Sequence, residues 1–180
     1  VCQAVAADSE LELVAAVDPH HAGLDLSAVA GPTVGDLQIA HDADSLVAAG
    51  AQVVVDFTHL DAAPANLAWL AEHSPAHLHA DLIFGLPGET LESFAQGFER
   101  LYALRPHEIQ LGVLKRLRGT PIARHSAAYG MIYDAEPPYT VQQTTAVDAL
   151  TVQRFTRLAR YWDLLANSGR FPKTLPMLLA

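Results

Sequence analysis

Cysteine is nearly absent: the 180 residues contain one, Cys2. That excludes a disulfide within the chain, a four-cysteine zinc site and an iron–sulfur cluster held by this chain alone. A lone terminal thiol gives no reason to assign Cys2 a redox or radical role. Basic residues are scarce as well, with 11 lysines and arginines against 20 acidic residues and a formal net charge of -9. The densest positive stretch, Lys115-Arg116-Leu117-Arg118, is short. It gathers too few cations to neutralise a run of phosphates, so no nucleic-acid partner is expected. No apolar run reaches the roughly 20 residues that span a bilayer. The first residues carry no basic leader. No membrane partner and a cytoplasmic location are therefore expected. The chain does not begin with methionine, and its opening residues look like the middle of an element, as a truncated start would.

What remains is the composition of a folded protein, 51% hydrophobic and 17% charged. A chain of this length buries roughly 70% of its unfolded surface, in one domain or two small ones. Residues 1–10 are alanine-rich and suit a helix end. Leu11 to Val17 is an apolar run stopped by Asp18-Pro19, which predicts a strand. Residues 19–41 have no clear period and read as a loop. Asp42 or Asp44 caps a short helix ending at Gly50. Gln52 to Phe57, with three consecutive valines, is the strongest strand signal in the first half. A helix from Asp61 to His73 follows, with Asp61 as its cap and Pro64 in its first turn.

His79 to Phe84 predicts the next strand, and Gly85-Leu86-Pro87-Gly88 a sharp turn. Thr90 caps a helix whose apolar stripe is Leu91, Phe94, Phe98 and Leu101. Glu108 to Leu114 is a strand. Strand and helix thus alternate over residues 11–114, which predicts a parallel sheet covered by helices, either open or closed into a barrel. In the tail, Thr120 to Gly130 reads as a short helix, and residues 131–133 and 137–140 as irregular or short strands. Asp148 to Leu165 is a long helix with the stripe Phe155, Leu158, Trp162 and Leu165, and 171–180 a last short helix.

Several polar residues stand where ligands bind. Asp18 ends a strand, a place from which an acid contacts a ribose in dinucleotide folds. That role needs a glycine-rich turn upstream, and no glycine precedes Asp18. On pattern alone, strand termination and a turn begun with Pro19 is the better account of Asp18. Asp56, Thr58, His59 and Asp61 follow the second strand, where both ligand binding and helix capping are open. Asp81 lies inside a strand, and burying a carboxylate is costly unless it is paired or binds something. Alternation puts it with His79 and Ile83, opposite Ala80, Leu82 and Phe84. Gln110 and Gly112 share a face of the following strand. The turn is no phosphate-binding loop, since no Gly-Lys-Ser/Thr follows. His20 and His21 are adjacent, and His73, His77 and His79 cluster, but no second ligand cluster completes a zinc site.

Two resemblances divide the chain. Leu-Glu-Leu-Val-Ala-Ala-Val-Asp at 11–18, Val-Val-Val-Asp-Phe-Thr-His at 53–59 and the helix with Pro64, Asn66 and Leu67 resemble the N-terminal dinucleotide-binding domain of dihydrodipicolinate reductase. That family reduces a lysine-biosynthesis intermediate with NADH or NADPH. The resemblance implies that Asp18 contacts the cofactor ribose and that Phe57 and Thr58 approach the nicotinamide. The family's glycine-rich loop, its Gly-Thr-Thr-Gly segment, its catalytic histidines and lysine and its substrate-binding Ser-Gly-Thr segment have no counterpart here. His-Ala-Asp-Leu-Ile-Phe-Gly-Leu-Pro-Gly-Glu at 79–89, Gln-Leu-Gly-Val-Leu-Lys at 110–115, Arg-Gly-Thr-Pro-Ile at 118–122, Tyr-Gly-Met-Ile-Tyr at 129–133 and Asn-Ser-Gly-Arg-Phe at 167–171 resemble a cobalamin-binding-type radical S-adenosylmethionine enzyme. That resemblance implies that Asp81 helps hold S-adenosylmethionine and that Gln110 lies on the next barrel strand. The cysteine loop for the iron–sulfur cluster is missing.

The expected fold class is α/β: a parallel sheet with flanking helices, part Rossmann-like half and part radical-enzyme barrel strands, with a helical C-terminal tail. The expected segments are 1–76, 77–140 and 141–180. The expected function is a mosaic or truncated protein without autonomous catalysis, keeping remnants of nucleotide-cofactor sites. A radical-enzyme fragment, a reductase remnant, and a scaffold or dimerisation domain are the alternatives. NAD(P)H and S-adenosylmethionine are the ancestral cofactors, with neither expected to be firmly retained. A homo-oligomer and a partner subunit supplying missing elements both stay open.

Overall fold

The computed structural model describes residues 1–58 and 62–179, and the chain falls into two units, Val1–Ala76 and His77–Ala180. In the first, the alanine-rich start forms α1 (Cys2–Ala7), since alanine loses least on becoming helical. The apolar run that follows enters a ladder only at its end, as β1 (Ala16–Val17). After α2 (Leu26–Ala30) and a 3-10 turn at Pro32–Val34 comes β2 (Ile39–Ala40), parallel to β1. The Asp18 N–H donates to the Ala40 carbonyl at 3.0 Å, so Asp18 sits at the very end of the pairing. Leu26, Val34 and Ile39 form the core, and Leu13, Ala16, Leu37 and Cys2 pack against it. Cys2 is thus a packing side chain. The unit closes with α3 (Asp44–Ala48) and α4 (Ala63–His73), with Pro64 in the first turn of α4, where its missing N–H costs little. Its expected cap, Asp61, lies outside the described residues, as does His59.

The strand expected at Gln52–Phe57 does not form. Residues 53–58 belong to no helix, strand or turn, and Val53, Val55 and Phe57 are exposed. β-Branched residues favour a pleated surface only when a neighbouring strand supplies one, and none pairs with them among the described residues. Conversely, β2 falls in the stretch expected to be a loop.

In the second unit, β3 (His79–Phe84) leads through a tight turn into α5 (Leu91–Ala103) and returns as β4 (Glu108–Val113). Thr90 Oγ1 accepts the Ser93 N–H at 3.1 Å, and Ser93 Oγ accepts the Thr90 N–H at 3.0 Å, which fixes the start of α5. Gly85 opens the turn at φ 92°, and a Cβ there would lie 2.7 Å from Val141 Cγ1. β3 and β4 pair in parallel from His79↔Glu108 to Phe84↔Val113. A short antiparallel pair follows, β5 (Ile132–Tyr133) with β6 (Val141–Gln143). The helix expected over 120–130 is only a 3-10 turn, Pro121–His125. Asp148 Oδ1 accepts the Thr151 N–H at 2.7 Å to start α6 (Ala149–Trp162). That bond is the main reason the Asp148 carboxyl lies below its ordinary value. α6 runs into a π-helical turn, Asp163–Asn167, and α7 (Leu175–Leu178) ends the described chain.

The core of this unit lies where α5 and α6 meet the sheet, built from Phe84, Phe94, Val147, Val152 and Phe155. Phe84 stacks on Phe155 at 4.2 Å between ring centres, and Phe94 meets both edge-on at 5.2 and 4.9 Å. The other edge of β4 is closed by side chains. Trp162 Nε1 and Asn167 Nδ2 both donate to the Ile109 carbonyl, at 2.7 and 3.0 Å, and the Ile109 N–H donates to Asn167 Oδ1 at 3.3 Å.

These facts correct the expected fold class. Among the described residues the sheets are three, each of two strands, and none closes into a barrel. A barrel needs every strand hydrogen-bonded on both edges. Here the position a further strand would take beside Ile109 is held by Trp162 and Asn167. The partial radical-enzyme barrel is therefore withdrawn, and so is the single parallel sheet over 11–114.

One face of the β3–β4 pair carries His79, Asp81, Glu108 and Gln110, with Asp81 and Gln110 direct neighbours in register. His79 bridges the strands: Nδ1 lies 3.1 Å from Glu108 Oε2 and Nε2 lies 3.4 Å from Asp81 Oδ1. The bond to Glu108 is the leading cause that raises the His79 pKa above 6.5, with burial opposing it and Asp81 assisting.

Two outcomes follow. Phe155→Ala removes a ring from the aromatic trio and should cost about 3–5 kcal/mol, read as a lower urea midpoint; a loss within about 0.5 kcal/mol, typical of surface substitutions, would place the core elsewhere. Because folding raises the His79 pKa, its stabilisation is fully present below its ordinary value of 6.5 and fades as pH rises through the raised value. Urea midpoints should thus fall with pH just above 6.5 in the parent, and less steeply in Glu108→Gln, where only Asp81 still raises the His79 pKa. Parallel pH profiles would remove the bridge from the account.

Candidate functional site

Asp18 is the best-defined polar group of the first unit. Its Oδ1 accepts the His20 N–H at 2.9 Å, and its Oδ2 lies 2.7 Å from His21 Nδ1. The His21 bond, then the His20 N–H, hold the carboxyl below its ordinary value, so the group stays ionised. Half-exposed, it keeps lone pairs on both oxygens for further donors. The parallel ladder ends beneath it, the usual location of ligand contacts in open α/β sheets.

A second polar group forms around Asp56. Its Oδ1 accepts the Thr58 N–H at 2.7 Å, and Asn66 Nδ2 reaches Asp56 Oδ2 at 3.1 Å and Thr58 Oγ1 at 3.3 Å. α4 supplies Asn66, so this triangle ties the 53–58 segment to that helix. Phe57, between Asp56 and Thr58, is 78% exposed. Among the described residues no hydrogen bond links this triangle to the Asp18 group.

The residues fit one end of a dinucleotide and not the other. An ionised carboxylate suits two ribose hydroxyls. A diphosphate needs backbone N–H groups or cations, and no glycine precedes Asp18 to shape such a turn. A feature that motif reading missed bears on this directly: Arg100 is the first lysine or arginine in the chain. The first unit holds eleven acidic residues and no permanently cationic side chain. Counting charge by segment, rather than over the chain, would have found it.

In the second unit Asp81 and Gln110 are adjacent but open to solvent, on a face that no barrel encloses. Glu89 folds back on the turn before it, accepting the N–H groups of Gly85 at 2.7 Å and Leu86 at 3.3 Å. Burial raises its pKa, and the two N–H bonds partly offset that. It stabilises the turn and occupies the Gly85 and Leu86 N–H groups. A hollow of about 380 Å³ opens where α5 and α6 begin, lined by Leu91, Glu92, Thr144, Thr145 and Thr151 among others. It contains neither Asp81 nor Gln110.

The clustered histidines of the sequence are separated by their packing. His73 stacks on Trp69 at 4.7 Å, and His77 stacks on His107 at 4.6 Å. Among the described residues no group of three or more His, Cys, Asp or Glu side chains is placed to hold a metal ion, and no helix is long and apolar enough to cross a membrane.

Comparison with known proteins bears on the N-terminal part of the chain alone. No curated protein and no solved structure matches the chain. Nothing found supports the resemblance to a radical S-adenosylmethionine enzyme, whose barrel the sheets already contradict. Residues 1–80 match the family described as dihydrodipicolinate reductase, N-terminus, and over that stretch the chain is similar to that domain.

Proposed function

We propose that residues 1–76 form a partial nucleotide-binding domain of the dihydrodipicolinate reductase type, and that its contact is with the adenosine ribose of NADH at Asp18. The observation that carries this reading is the ionised Asp18 carboxylate at the end of the β1–β2 ladder. Each carboxylate oxygen keeps a lone pair for one of two neighbouring ribose hydroxyls. A 2′-phosphate at the same place meets a carboxylate and finds no lysine or arginine in this unit to neutralise it. NADH is therefore favoured over NADPH.

Residues 1–17 hold no glycine to shape a diphosphate-binding turn, so the contact assigned to this stretch is the ribose alone. No step of hydride transfer is assigned to this chain. A dinucleotide held by its ribose alone has no fixed approach to a substrate, and orientation supplies a large part of such a reaction's rate.

Titration of the full chain with NADH, NADPH, adenosine and 2′-deoxyadenosine, followed by NMR shifts, tests the reading. NADH should bind at least about tenfold more tightly than NADPH. Adenosine should bind and its 2′-deoxy analogue should not. Asp18→Asn should abolish both preferences. Equal binding of NADH and NADPH, or an Asp18→Asn protein that still discriminates, would refute it.

A further inference from the structure

Residues 53–57 are a strand-forming sequence left without a partner. Val53 is 76% exposed, Val55 56% and Phe57 78%, while Val54 between them is partly covered. One side of the segment therefore presents three large apolar groups to water in alternation, the side-chain period of a strand. Among the described residues, the backbone N–H and C=O groups of residues 52–57 make no hydrogen bond with backbone or side chain. The segment is nonetheless anchored at its end, where Asp56 and Thr58 are held by Asn66 of α4. Unpaired backbone beside alternating apolar side chains is a template for strand addition.

The charge around it selects the kind of strand. Every permanently charged side chain of Val1–Ala76 is acidic, and the first lysine or arginine is Arg100. An acidic strand is repelled by that field, and so is a second copy docking through the same unit. We propose that residues 53–57 pair with an extended, basic segment of a partner protein, which adds a strand with apolar side chains on Val53, Val55 and Phe57 and cationic ones toward the acidic unit. Main-chain hydrogen bonds supply the affinity, and the alternating lysines or arginines supply the selectivity. This does not rest on the NADH reading: Asp18 takes no part in it.

The test uses a fluorescein-labelled nonapeptide alternating valine and lysine, its valine–glutamate counterpart, and the valine–lysine peptide with proline at the centre. Anisotropy is measured on the full chain. The valine–lysine peptide should bind, more weakly as salt rises, and the other two should bind at least about tenfold more weakly. Val55→Pro should lose binding by about the same factor while keeping its circular dichroism, since the Val55 N–H bonds nothing in the fold. Leu11→Pro, at another exposed residue outside any helix or strand, should bind like the parent. Equal binding of the lysine and glutamate peptides would overturn the proposal. So would equal binding to Val55→Pro, which would mean capture by charge alone. A dimer in sedimentation that Val55→Pro dissociates would overturn it too, because the occupant would then be a second copy.

Discussion

Backbone pairing is the constraint on which the rest of this molecule turns. A parallel strand offers hydrogen-bonding groups on two edges, and each needs a neighbour, a side-chain substitute or water. β1 and β2 satisfy one another over two residues each. β3 and β4 satisfy one another over six, and Trp162 and Asn167 take over beyond β4 at Ile109. Those two side chains come from α6 and the turn after it, so the helix that packs the core also ends the sheet. The aromatic trio and the two-strand limit are consequences of one placement. α6 lies close enough for Phe155 to stack on Phe84 and for Trp162 to reach the strand edge.

Electrostatics then divides the functions open to each unit. The first has no lysine or arginine, so it offers no permanent cation to an anionic ligand. The second holds all 11 lysines and arginines. They are dispersed among α5, α6, the loops and the tail rather than gathered around a cleft. The hollow at the starts of α5 and α6 illustrates the point. Two helix N-termini favour an anion, yet Glu92 lines it and the Asp148 carboxylate already takes the Thr151 N–H. The positive ends of the helices are answered from within the chain.

How much of this the sequence discloses depends on how local each feature is. α5 is legible because Leu91, Phe94, Phe98 and Leu101 repeat at helical spacing and Thr90 caps them. α6 is legible for the same reason, although Leu158 of its expected stripe is exposed while Phe155 and Trp162 are buried. Gly85 is legible as a turn, but its need to admit Val141 is not, since the two meet only in the fold. β2 is too short for a two-residue period to register. Val53 to Phe57 carries full strand propensity, and propensity cannot show that the neighbour is missing. Of the polar groups, the end-of-strand position of Asp18 follows from the apolar run before it. Its capture by His20 and His21 depends on the turn that Pro19 begins. The Asp56–Thr58–Asn66 triangle joins a segment outside any helix or strand to α4, and neither alone announces it.

The polar residues inside β3 and β4 take on a different meaning once the barrel is gone. Inside a closed barrel, Asp81 and Gln110 would be costly unless they bound something. On an open pair the same residues face water, where charge and amide are the ordinary occupants. Parallel sheets are normally covered on both faces. This pair has helices on one face only, so the other must be made tolerable in solvent. His79, Asp81, Glu108 and Gln110 do that, and His79 adds a bridge across the strands. Asp81 and Gln110, which suggest a ligand site in the sequence, are thus also accounted for by the face they occupy. Asp18 differs from them in being held in place by its own turn and poised at the end of a ladder rather than along its side.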